Sequence, residues 1–298
     1  MRAVAPKALF CFGIGFSARA LIERLDRKEW SIAGTVTSDE SAFELRERRG
    51  IEAFVFDGTR PVPGLRESLS TASHVLVSVP PGINGDPVLE HHADDIRKAA
   101  RLGWIGYLST IGVYGDRGGE WVDESSEPQP TSQRSRWRRD AELQWLALGK
   151  ATGKRCVLFR LAGIYGPGRS AIDNVRSGKA KRIIKPGQRF NRIHVDDIAR
   201  VLEASMAGAG TSSVYNLADD EPAPPQDEIA HAAVLLGAPM PPAVPYDDPS
   251  LGAMTRSFFS ESKLVRNDLL KKDLGIELAY PSYRQGLAAI ANAMAVDG

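Results

Sequence analysis

"KALFCFGIGFSARALIER" occupies residues 7–24, and the fold follows from how it is read. Residues 7–14 form an almost unbroken apolar run, the pattern of a strand buried on both faces. From residue 16 the pattern becomes helical and continues to residue 27. The junction, "GIGFSA" (13–18), fits G-x-G-x-x-A, with Gly13, Gly15 and Ala18 at the marked positions. Each position has a mechanical reason. The first glycine makes a tight turn, the second removes a Cβ where the backbone must come close to a bound group, and a small third residue lets helix and strand pack closely. The amides that open the helix then point at an anion, and the helix dipole reinforces them.

The same alternation continues outward from this stretch. Apolar runs at 31–37, 51–56, 74–80, 104–109, 155–161 and 213–218 read as further strands, and 39–49, 86–101, 133–149 and 195–207 read as helices. Such alternation predicts an α/β fold, a doubly wound parallel sheet of about seven strands with helices on both faces. In that frame the glycine turn is either a bare turn or a dinucleotide cradle formed by Gly13, Ile14, Gly15, Phe16, Ser17 and Ala18. Past residue 165 the pattern loosens, and Pro-rich turns appear at 221–228 and 238–249, with helices expected near 225–237 and 261–273. The expected domains are a nucleotide domain over 1–165, to which 193–218 returns, and a small irregular C-terminal lobe over 166–298.

Lys plus Arg total 38 against 37 Asp plus Glu. That balance argues against nucleic acid and membrane surfaces as partners. The two cysteines, Cys11 and Cys156, lie in apolar runs and read as buried thiols of a reducing, cytoplasmic compartment, with no metal site implied. Arg2 and Lys7 precede an apolar run, but the charged helix that follows, with Arg19, Glu23 and Arg24, argues against an export signal.

The end of the second strand should choose between dinucleotides. A carboxylate there would bind the 2′-hydroxyl of NAD and repel a 2′-phosphate. This chain has Thr35, Thr37 and Ser38, and the first acid, Asp39, falls in the next helix. No arginine follows to clamp a phosphate. The reading is NAD or NADP, with a slight lean to NADP through Thr37 and Ser38. Asp57, after the third strand, is placed either to accept from an adenine amino group or to close its own "DGT" turn. Ser78 and Pro80 after the fourth strand, and Ser109 at the end of the fifth, are further candidate cofactor contacts.

"LSTIGVYG" (108–115), "DES" (123–125), "AE" (141–142), "FRLAGIYGPG" (159–168) and "RIHVDDIA" (192–199) occur in this order. Together with the segment 262–287 they resemble the extended short-chain dehydrogenase/reductase superfamily, in its NAD-dependent epimerase/dehydratase branch. The resemblance covers nearly the whole chain and implies a Rossmann domain with a substrate lobe. It also implies a catalytic Ser or Thr, here Thr110, and a Tyr-x-x-x-Lys pair on a helix. In that family the Tyr is the acid/base for hydride transfer, and the Lys lowers its pKa and binds the nicotinamide ribose. Counting back from Glu142 places the Lys position at Arg138 and the Tyr position at Arg134, so both signature residues are replaced. Phe12 likewise stands where the family's first glycine would be.

At about 100° per residue, with Trp137 at zero, Leu148, Ala141 and Trp145 fall near 20°, 40° and 80°. Arg134 (about 60°) and Arg138 (about 100°) share that apolar stripe, while Arg136 and Arg139 point away as an ordinary solvated face. For the inward pair the alternatives are an ion pair, for instance with Glu142, or contact with cofactor or substrate. A guanidinium is charged at all accessible pH and cannot shuttle a proton, but its fork of donors suits phosphate, carboxylate or ribose hydroxyls. If there is proton transfer, the candidates are Thr110 through water, Tyr114, Tyr165 and His194, of which the last three also suit structural roles.

Between Asn174 and Val195 there are seven Lys and Arg residues and no acid. Family likeness makes this lobe the binder of a small anionic, nucleotide-sugar-like substrate, with Arg189, Arg192, Tyr114 and Arg256 as candidates; the alternative is a solubilising surface. Two functions follow: an NAD(P)-dependent oxidoreductase or epimerase-like enzyme using Thr110, Arg134 and Arg138, or a non-catalytic NAD(P)-binding sensor. The outer face of helix 133–149, with Leu143, Leu146 and Ala147, suits a homodimer contact, and a monomer is equally compatible.

Overall fold

The computed structural model describes residues 6–296, so Arg2 lies outside the described residues. Seven strands form one sheet: β1 (Lys7–Phe12), β2 (Trp30–Val36), β3 (Glu52–Val55), β4 (His74–Val77), β5 (Trp104–Thr110), β6 (Arg155–Leu161) and β7 (Val214–Leu217). Their order is β3-β2-β1-β4-β5-β6-β7. β1 pairs in parallel with β2 and β4, β2 with β3, and β4 with β5. The helices α1 (Phe16–Arg24), α2 (Asp39–Arg49), α3 (Leu65–Thr71), α4 (Pro87–Lys98), α5 (Gln133–Thr152) and α6 (Val195–Met206) join them. This is the doubly wound Rossmann arrangement, and its order reverses between β1 and β4. Ligands of such sheets bind in the crevice outside the carboxyl ends of the strands at that reversal.

The helices start and stop where local chemistry dictates. Ser38 caps α2 by accepting from the Ser41 amide, Asp39 and Glu40 fill its first turn, three arginines fill its last, and Gly50 ends it in the left-handed region. Asp86 caps α4 through the amides of Val88 and Leu89, with Pro87 in the first turn. Ser132 caps α5 on the Ser135 amide.

The chain divides into two compact units. The first comprises the described residues up to Thr110, Ser132–Arg160 and Ala199–Tyr215; the second comprises Ile111–Thr131, Leu161–Ile198 and the chain from Asn216 onward. The exchange of chain is therefore finer than a boundary at 165: residues 111–131 and 193–198 belong to the second unit. The first core gathers Phe10, Phe12, Val75, Ile105, Tyr107 and Trp145, among others. The second gathers Tyr165, Ile172, Ala232, Tyr283 and Leu287. The region expected as a helix near 261–273 is instead a short strand, Leu264–Val265, followed by a helix over Asp268–Leu274. Arg256 lies exposed in the short helix Ala253–Phe258.

Cys11 and Cys156 are free and buried, and burial pushes both thiols up to about 12. Among the described residues no helix is long and apolar enough to cross a membrane, and no group of three or more His, Cys, Asp or Glu side chains could hold a metal ion. On the outer face of α5 Leu143 is 62% exposed.

Candidate functional site

The glycine turn sits at the reversal of strand order. Gly13 has φ +89°, and a Cβ built on it would lie 2.5 Å from Ser78 Oγ, so both its conformation and its surroundings demand glycine. Ser78 ties the ends of β1 and β4 together: its amide donates to Phe12 O (2.9 Å) and its hydroxyl to Gly13 O (2.7 Å). Gly15 is exposed, and a Cβ there would meet nothing within 4 Å. It precedes α1 with no side-chain cap, and the first turn of α1 contains no acid. The nine-residue helix thus starts at an exposed glycine with no competing carboxylate in its first turn. Ser17 and Ala18 are buried against the fold and Phe16 is half-buried. The residues present fit a pyrophosphate.

The exit of β2 carries hydroxyls that are already engaged. Thr35 Oγ1 accepts from the Gly13 amide (2.9 Å), and Thr35 O accepts from the Ile14 amide (2.7 Å). Ser38 is spent on capping α2, while Thr37 is exposed. Asp57 closes its own turn: Oδ1 accepts from the Thr59 hydroxyl (2.7 Å) and amide (2.9 Å), and these bonds hold its pKa below the usual carboxylate value. Pro80 is exposed past the end of β4. Arg19 stands in the sequence only as one of the charges of the first helix. Its Nε donates to Ile14 O at 3.4 Å, so an arginine does stand beside the turn.

At the end of β5 a buried charge pair organises the side chains. Glu142 accepts from Arg160 Nη2 (2.7 Å) and Nε (3.1 Å) and from Ser109 Oγ (2.5 Å). Ser109 is therefore buried and committed to a carboxylate, which removes it as a cofactor contact. The ion pair considered for Arg134 or Arg138 with Glu142 is also corrected, because Arg160 on β6 takes that carboxylate. Arg138 Nη1 instead donates to Leu108 O (2.9 Å) and Tyr107 Oη (3.1 Å), and its guanidinium lies 5.5 Å from the Tyr107 ring centre. Nearby, Asp86 Oδ2 accepts from Trp145 Nε1 (2.9 Å), and burial raises the Asp86 pKa against that bond and the Arg138 charge. Tyr107 is fully buried and its phenol is pushed up by burial.

Arg138 thus points inward as its helix phase predicts, but Arg134 does not. It lies one turn earlier, on the second residue of α5, where only Ser135 is buried, and it is exposed with no hydrogen bond or ion pair to a described residue. Phase alone cannot tell that a helix has not yet reached its cover. Thr110 ends β5 and is half-buried. Helix α5 contains no tyrosine.

The second unit absorbs several residues expected to touch substrate. Arg192 is buried, pairs with Glu228 (2.7 Å) and donates to Phe190 O and Ala223 O, so its donors are internal. Tyr114 is fully buried and donates to Asn216 Oδ1 (2.8 Å). Both are removed as substrate groups, because burial has already supplied their partners. Arg189 is half-satisfied by Pro222 O (3.2 Å). Tyr165 is buried with its hydroxyl toward Ser282 O, and buried His194 accepts from the Asp196 amide, its pKa lowered by burial. Neither is an accessible acid or base.

No protein-family model matches the chain. A functionally unknown conserved protein from Silicibacter pomeroyi DSS has a similar structure, with 47% identity, a TM-score of 0.86 and coverage of 97% of this chain and 99% of that one. dTDP-glucose 4,6-dehydratase from Bacillus anthracis, solved in complex with NAD, shares the fold at 16% identity, a TM-score of 0.77 and coverage of 98% and 97%. Among the other structural neighbours is UDP-glucuronic acid 4-epimerase from Bacillus cereus, solved in complex with NAD, at 17% identity, a TM-score of 0.72 and coverage of 96% of each chain. In sequence, 141 residues are 28% identical to the 3-diazoavenalumate denitrifying reductase of a Streptomyces species; this spans 44% of the chain and 45% of that protein, less than half of either.

Proposed function

The chain belongs to the same family as the functionally unknown conserved protein of Silicibacter pomeroyi DSS, and we propose that it is an NAD(P)-binding oxidoreductase of the epimerase/dehydratase-like kind. It acts on a small anionic substrate, with nucleotide sugars as the first class to try, and it works without a tyrosine acid/base. The observation that carries this reading is the uncovered glycine turn at the strand-order reversal, where Gly13 cannot be replaced and Gly15 faces open space. The NAD complex of the dehydratase neighbour and the reductase relative support it.

The residues then take these roles. The amides after Gly15 hold the pyrophosphate, and NADP is favoured over NAD because no carboxylate closes the 2′ position at the exit of β2. A bound nicotinamide supplies or accepts hydride at the substrate. Thr110 presents a hydroxyl at the end of β5, a strand end that Arg138 fixes through Leu108 O and Tyr107. Arg134 offers an exposed cation to the substrate anion. Neither arginine moves a proton, so any proton comes from solvent through Thr110.

Thermal unfolding with NAD, NADH, NADP and NADPH tests the binding. A ligand at 100 times its Kd adds about 2.7 kcal/mol to the folded state; no stabilisation by any of the four overturns the proposal. Turnover is then read from reduced-nicotinamide absorbance over nucleotide sugars and small carbonyl compounds. The absence of a tyrosine from α5 favours a second reading, a dinucleotide sensor, and binding without turnover across that panel would select it.

A further inference from the structure

Arg19 is the side chain beside the glycine turn that the proposed chemistry has not used. It sits in the second turn of α1, half-buried, with Nε bonded to Ile14 O. Ile14 is itself stitched to β2: its amide donates to Thr35 O, and its side chain covers Gly34, where an added Cβ would fall 2.9 Å from Ile14 Cδ1. The guanidinium is therefore held at the turn, which Ile14 ties to β2. Its two terminal nitrogens make no hydrogen bond or ion pair with a described residue. The first turn of α1 supplies no counter-charge, and Arg46, on α2, is spent on Ala53 O.

In a doubly wound fold the adenosine ribose lies at the exit of the second strand. Here that exit has no carboxylate to accept the ribose hydroxyls. Thr35 is engaged by the turn, Ser38 caps α2, and Asp39 and Glu40 are already in the first turn of that helix. A guanidinium fork at a turn tied to that acid-free exit suits a phosphate dianion better than a hydroxyl.

We propose that Arg19 reads the 2′ position of the adenosine ribose and makes the site prefer a 2′-phosphorylated dinucleotide. This rests on the dinucleotide reading above and names the residue that sets its specificity.

Calorimetric titration of the full chain with NADPH, NADH, 2′,5′-ADP and 5′-ADP tests it, for wild type, Arg19→Ala and Arg19→Lys. The wild type should bind each 2′-phosphorylated ligand about tenfold or more tightly than its partner, the scale of a charge-assisted contact. Arg19→Ala should erase that preference and leave NADH and 5′-ADP within about twofold, whereas Arg19→Lys should keep part of it. The preference should also shrink with added salt. Equal wild-type binding of NADPH and NADH overturns the role of Arg19 and leaves the dinucleotide reading intact. Equal loss of all four ligands in Arg19→Ala, with an unchanged melting temperature, also overturns it and makes the side chain a brace for the turn. If the wild type binds none of the four, both readings fall together.

Discussion

The two units bury charge in opposite ways. In the first, Glu142 is surrounded by donors, with Arg160 on both carboxylate oxygens and Ser109 on one of them. In the second, Arg192 and Glu228 pair well, yet beside them Asp219 Oδ2, His194 Nε2 and Tyr283 Oη are buried without a partner among the described residues. The Glu142 carboxylate in the first setting accepts from a guanidinium and a hydroxyl. One in the second holds its proton: burial raises Asp219 from 3.8 to about 8, against the pull of Arg192. Satisfied and unsatisfied burial give the two units different sensitivities to mutation and to pH.

The largest expected effect comes from breaking the satisfied pair. Glu142→Gln leaves Arg160 buried without a counter-charge and should cost about 3–5 kcal/mol, read by urea unfolding. Replacing both partners, Glu142→Leu with Arg160→Met, should recover most of that loss, because the pair's desolvation cost disappears with its attraction. If the double variant is no more stable than the single one, the pair contributes more than its own neutralisation.

Next in size is the pH response of the second unit. Asp219 has a raised folded pKa, so above about pH 4 the unfolded chain releases a proton that the folded chain keeps. Stability from this group therefore falls as pH rises from about 4 to about 8 and is flat above that. His194 works the other way: its folded pKa is lowered from 6.5 by burial, so its contribution is lost as pH falls below that value. Asp219→Asn should remove the decline between about pH 4 and pH 8 and be more stable than wild type at pH 9 by about 1–3 kcal/mol, the cost of an unsatisfied buried polar group. Parallel pH–stability curves for the two proteins would refute the assignment.

These two interiors also show what sequence reasoning reaches. The glycine turn was legible because its information is in the backbone: residues without a Cβ at fixed spacing next to a strand. The sheet was legible from apolar runs for the same local reason. Arg192 was misread because its partner Glu228 is 36 residues away; an acid-free run of sequence is not an acid-free neighbourhood. Arg160 and Glu142, 18 residues apart, meet only when β6 packs beside β5 under α5. Helix phase placed Arg138 correctly and Arg134 wrongly, because the angle around a helix says nothing about how far along its axis the cover begins. Arg19 was visible as a charge but not as a neighbour of Ile14.

Smaller effects separate real partners from burial alone. Ser38→Ala removes the cap on α2 and should cost about 1 kcal/mol, and Arg134→Ala, at an exposed position without bonds to the described residues, should stay within about 0.5 kcal/mol of wild type. The sharpest contrast uses two tyrosines of the second unit. Tyr114 and Tyr283 are both fully buried, but Tyr114 donates to Asn216 Oδ1 whereas the Tyr283 hydroxyl has no partner among the described residues. Tyr114→Phe strands the Asn216 carbonyl and should cost about 1–2 kcal/mol, and Tyr283→Phe should be neutral or slightly stabilising because it deletes a polar atom that folding leaves unpaired. Chemical denaturation of the two variants beside wild type measures the difference directly. Equal losses would mean that the Tyr283 hydroxyl is bonded in solution and that the second interior is better satisfied than its protein partners alone make it.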